Sequence, residues 1–162
     1  MIFEFTVVFS IQDQKQDVDE ISNRLFDAGL DDALVLTGIK GIVGLDLFRE
    51  SISAEEAINS AINDFFKAFP DAELIEVRPD LVSIADIAKL VGQSRQNLRK
   101  LAGFPPPIIT GAKPYWHLYQ VIRWYETKKR KKPFAPNIVE TAKSAWRLNH
   151  QLESRRLELS LQ

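Results

Sequence analysis

Val82–Ile108, "VSIADIAKLVGQSRQNLRKLAGFPPPI", is the stretch on which the reading of the whole chain turns. Ser83 is a capping residue with Asp86 in the third helical position, so a helix is expected to start at Ile84, with Ile84, Ile87, Ala88 and Val91 as its apolar stripe. Gly92 then turns the chain without a Cβ penalty. Ser94 caps a second helix, predicted over 94–101, whose Leu98, Leu101 and Ala102 face inward. The opposite face presents Gln93, Arg95, Gln96, Asn97, Arg99 and Lys100. Arginine pairs with guanine edges, asparagine and glutamine with adenine, and lysine with phosphate, so this face has the chemistry of a DNA contact. Two short helices joined at a glycine also form ordinary core corners, and the flanking sequence has to separate the two readings.

Charge position is the first discriminator. Residues 1–80 carry 6 Lys/Arg against 17 Asp/Glu, and residues 81–162 carry 15 against 5. A formal net charge of -1 therefore conceals halves of -11 and +10. Such an asymmetry predicts an acidic module joined to one that seeks polyanions.

The second discriminator lies downstream, in "FPPPI" (104–108) and "YWHLYQVIRWYE" (115–126). Together with "SIADIAKLVGQSRQNLRKLA", and in that order, these segments resemble the MerR and excisionase-like winged helix-turn-helix group, including its AlpA-type phage regulators. The resemblance covers residues 82–127, somewhat over a quarter of the chain. It implies that Ser94–Leu101 is the recognition helix, that 104–116 is a wing with Gly111 and Lys113 at its tip, and that 118–127 is a sealing helix. Three consecutive prolines make the first limb of this wing stiffer than the family pattern. Trp116, Val121, Ile122 and Trp124 are expected in the core, and His117 is read as a structural or surface residue. Candidate base contacts are Arg95, Gln96, Asn97 and Arg99. Candidate phosphate contacts are Ser94, Lys100, Lys113, Tyr115 and the run Lys128, Lys129, Arg130, Lys131 and Lys132, which is also readable as a solvated tail or a nuclear signal.

Pro133 and Pro136 break the chain before a helix predicted over 138–159. Ile138, Ala142, Ala145, Leu152 and Leu159 fall near a heptad seam that Asn149 and Arg156 interrupt. The seam fits either a homodimer contact or packing on its own domain, with dimerisation slightly favoured.

The acidic half reads as β-α-β-β-α-β. In Ile2–Ser10, Phe3, Phe5, Val7 and Phe9 alternate as one covered face of a strand. Val18, Ile21, Leu25 and Ala28 follow helical spacing up to Gly29. "ALVLTG" and "GIVGLDLF" are strand-like runs joined at "TGIKG". Ser53 and Glu56 form a capping box before a helix that Pro70 ends, and "AELIEV" closes as a strand. The order resembles the ferredoxin-like pattern, an antiparallel sheet with both helices on one face. The expected fold is therefore α+β, with an acidic ferredoxin-like domain (1–80) for sensing or interaction, a winged helix-turn-helix (81–132) and a C-terminal helix (133–162).

On this reading Glu4, Asp46 and Glu76 share the uncovered sheet face, which suits a protein partner better than a metal. Stacking aromatics for RNA are missing, since Ile42 and Gly44 stand where they would be wanted, and "SIQDQKQD" is no phosphate loop. With no cysteine and only His117 and His150 as imidazoles, no catalytic, metal or cofactor site is expected. No apolar run approaches the roughly 20 residues that span a bilayer. The expectation is a cytoplasmic, nucleoid-associated, non-enzymatic regulator of prokaryotic or phage type that binds double-stranded DNA. The alternative is an antitoxin-like or accessory module whose acidic domain binds a protein.

Overall fold

The computed structural model describes residues 1–13, 17–128 and 133–162. Its first element, β1 (Ile2–Ser10), buries Phe3, Phe5, Val7 and Phe9 on one face, as the alternation dictates. Helix α1 (Val18–Asp27) starts at Asp17, whose side chain accepts a hydrogen bond from the Glu20 amide at 2.8 Å. Strands β2 (Ala33–Leu36) and β3 (Ile42–Glu50) form the expected hairpin, followed by α2 (Ala54–Ala68) and β4 (Glu73–Arg78). The sheet order is β2-β3-β1-β4, with every neighbouring pair antiparallel. The fold is α+β.

Helices α1 and α2 supply Ile21, Leu25, Ile58 and Phe65 to the core on the Phe3 face of the sheet. Phe9 stacks on Phe65 with ring centroids 3.7 Å apart. The capping box expected at the start of α2 is only half built: Ser53 Oγ accepts from the Glu56 amide at 3.1 Å, and the Ala54 amide donates to Glu140 from the end of the chain. Beside this core Arg49 donates to both carboxylate oxygens of Asp32 at 2.8 and 2.9 Å and to Asp64 at 3.1 Å. The Arg49 guanidinium holds the Asp32 carboxyl below its ordinary range, and Asp32 in turn raises Arg49.

A second core forms from β5 (Leu81–Val82), α3 (Ile84–Val91), α4 (Arg95–Arg99), β6 (Trp116–His117) and α5 (Leu118–Lys128). The two cores meet on α6 (Pro136–Ser160), a helix of roughly 37 Å at 1.5 Å per residue. Ala145 is buried in the first core and Ala142 in the second. Of the seam residues, Ala142 and Ala145 therefore pack within their own chain, while Leu159 at the far end stays exposed.

Asn149 and Arg156 are likewise not interruptions. Strand β4 is an edge strand, and Asn149 bonds both backbone groups of Val77, accepting from its N–H at 2.8 Å and donating to its C=O at 2.7 Å. Arg156 donates to the Ile75 carbonyl at 2.5 Å. Two side chains of a helix thus stand in for the missing neighbour strand, one way to close an edge that would otherwise template aggregation.

The other sheet face keeps Glu4, Asp46 and Glu76 together, but not as a cluster. Asp46 accepts from Thr6 Oγ1 at 2.5 Å and Glu76 pairs with Arg78 at 3.6 Å. Among the described residues no group of three or more such side chains could hold a metal ion. Leu34 and Phe48 are 64% and 61% exposed beside these carboxylates.

Candidate nucleic-acid interface

The α3-α4 pair is built by its caps. Ser83 Oγ accepts from the Asp86 amide at 3.2 Å while Asp86 accepts from the Ser83 amide at 2.9 Å, a complete box. Gly92 ends α3 in the left-handed region at φ 67°, and its amide bonds Ala88. Two residues later Ser94 starts α4, accepting from the Asn97 amide at 3.1 Å. One glycine and two serines thus mark the end of α3 and the starts of both helices.

Helix α4 is shorter than the sequence suggested, covering Arg95–Arg99 and not 94–101. The chain tightens at its end, where the Leu101 amide bonds Leu98 one residue early, and Gly103 then turns at φ 76° ahead of the prolines. Leu98 alone pins the helix, at 0% exposure. Gln93, Ser94, Arg95, Gln96, Asn97, Arg99 and Lys100 are all exposed. Ala102 is exposed as well, contrary to its expected inward position.

Beyond the prolines the chain doubles back. Ile109 bridges Tyr115 antiparallel, with N–H···O distances of 3.2 and 3.0 Å, and Gly111 takes φ 124° in the intervening turn. Strand β6 then pairs with β5, tying this hairpin to the segment that precedes α3. An aromatic nest anchors the base: Trp116 Nε1 donates to the Pro105 carbonyl at 2.8 Å, and Phe104 meets Trp116 and Trp124 edge-on. Trp116, Val121 and Ile122 are buried as expected, whereas Trp124 is only partly so. Lys113 and Lys128 are exposed, and Tyr115 is half-buried. Lys129, Arg130, Lys131 and Lys132 lie outside the described residues.

Ion pairs occur in both halves: Arg49, Lys67 and Arg78 are paired in the acidic half, and Arg123 and Arg156 in the basic half. Among the described residues Arg95, Arg99, Lys100, Lys113 and Lys128 make no ion pair, and Asp86 and Glu126 are the only carboxylates between residues 81 and 135. Unpaired cations over a surface poor in carboxylates leave a positive field that neutral or paired groups do not cancel.

One constellation escaped the sequence reading. Asp80, only 4% exposed, accepts from Asn149 at 2.9 Å and bonds His117 Nδ1 at 2.7 Å, and the His117 ring stacks on Trp146 at 4.2 Å. These residues come from the β4-β5 junction, β6 and α6, so no local pattern announces them. No helix among the described residues is long and apolar enough to cross a membrane. Comparison with protein-family models, characterised proteins and solved structures finds no match to the chain.

Proposed function

We propose that the chain is a sequence-specific regulator that binds double-stranded DNA, of the prokaryotic or phage winged helix-turn-helix type, acting at the nucleoid. The observation that carries this reading is the division of α4: Leu98 is wholly buried while Arg95, Gln96, Asn97, Arg99 and Lys100 are exposed and free of ion pairs among the described residues. The base-reading types sit together on one short helix whose start is capped by Ser94.

In this reading Arg95, Gln96, Asn97 and Arg99 approach base edges in the major groove. Ser94, Lys100, Lys113, Tyr115 and the run from Lys128 to Lys132 hold phosphates, with the Ile109–Tyr115 hairpin as the wing. Selection of binding sites from random duplexes by the full chain tests it. A recovered consensus that loses one base position in Arg95→Ala, and another in Arg99→Ala, is the expected result. Recovery of no consensus, or of an unchanged one in both variants, overturns the assignment.

A second reading, docking of a basic protein on the acidic half, draws on the exposure of Leu34 and Phe48 beside Glu4 and Asp46. Copurification of such a partner, abolished by Phe48→Asp, would favour it.

A further inference from the structure

Between α5 and α6 lies a second basic surface that the DNA reading does not use. Tyr119, Lys143, Trp146, Arg147 and His150 line an open cleft of about 310 Å³, at the lower end of the range that holds small ligands. Lys143, Arg147 and His150 follow helical spacing along α6, and among the described residues none of the three is bonded to a carboxylate. The neighbouring cleft is lined by Glu76, Asp80 and Glu153 as well as by arginines, so its charges are already matched. This one has no carboxylate in its wall.

The aromatic part of the wall is held in place. One face of the Trp146 indole is covered by His117, nearly parallel at 16°, and His117 is fixed by the buried Asp80, which Asn149 also bonds. Tyr119 meets the indole at 6.4 Å and 60°. The accessible part of Trp146 therefore forms a rigid platform beside two free cations, at little further cost in side-chain entropy when a ring settles on it. A flat ring stacks on such a platform, and a phosphate takes the lysine and arginine.

We infer that this cleft binds a small aromatic anion of the nucleoside monophosphate class, with the base against Trp146 and the phosphate on Lys143 and Arg147. The site is distinct from α4 and stands whether or not α4 reads DNA.

The test is titration of the full chain with adenosine monophosphate, followed by the indole N–H resonance of Trp146, which Trp146→Phe identifies. The expected result is a saturable shift of that resonance. Adenosine or inorganic phosphate alone should bind about tenfold or more weakly, since each lacks one of the two interactions. Lys143→Ala with Arg147→Ala, both at exposed positions, should weaken the nucleotide by a similar factor without changing the circular dichroism. Arg95→Ala with Arg99→Ala should leave it unchanged. An unmoved Trp146 resonance, undiminished binding by the Lys143/Arg147 variant, or adenosine binding as tightly as its monophosphate would each overturn the proposal. So would a single-stranded oligonucleotide binding far more tightly through the same residues, which would make the cleft a strand channel.

Discussion

Arg95 and Arg99 illustrate how a residue's role follows from what lies beneath it. Both sit one turn or less from Leu98, whose complete burial fixes the helix and so fixes the direction in which the guanidinium groups leave it. If they contact guanines, each alanine substitution should cost about 1–3 kcal/mol at one base position, read by affinity for single-base operator variants. Gly92 carries the conformational burden of the turn. A Cβ there meets nothing within 4 Å, so Gly92→Ala is expected to destabilise by about 1–2 kcal/mol through its positive φ alone, measurable by urea denaturation. Asp32 gives a pH signature. Its folded carboxyl is held low by Arg49, so its stabilisation is fully present above the unfolded value near 4 and is lost as pH falls through the folded value. The difference in Tm between the wild type and Asp32→Asn should therefore be largest near neutrality and shrink in acid.

Among the elements, α6 shows what a periodicity argument can and cannot reach. Its apolar spacing is readable, but Pro136, expected only to break the chain, is instead its first residue, where a missing N–H costs nothing. The function of its polar positions is not readable, because Asn149 and Arg156 are explained by the edge of a strand some 70 to 80 residues earlier. Asn149→Ala removes hydrogen bonds to both backbone groups of Val77 and to Asp80. The expected cost is about 2–3 kcal/mol, a Tm lower by about 4–12 °C. The reopened β4 edge should also raise the tendency to self-associate, which light scattering would register. The α4 helix differs in the other direction: its cap and apolar residues are legible in the sequence, but it ends at Arg99 because the chain tightens at Leu101 and turns at Gly103 ahead of the proline run.

At the level of the whole molecule the two charged halves share one helix. Because Ala142 and Ala145, less than a turn apart, belong to different cores, the acidic half cannot be removed without exposing the base of α6. Charge neutralisation is the cleaner probe of its influence. If the chain binds DNA as proposed, neutralising the exposed Asp19, Glu20, Asp27 and Asp31 to amides should strengthen that binding by a similar factor for every sequence, with the larger effect at low salt. A gain confined to one operator would point to a direct contact instead.

Alternation, helical spacing, capping residues and the asymmetry of charge are local properties, and each follows from covalent geometry within a few residues of chain. From them came the α+β class, the burial of Phe3, Phe5, Val7, Leu98 and Trp116, and the outward face of α4. The closing of the β4 edge by Asn149 and Arg156, the Asp80–His117–Trp146 stack and the cleft beside it arise where distant segments meet. Such contacts depend on the relative placement of packed elements, a quantity that no window along the chain contains.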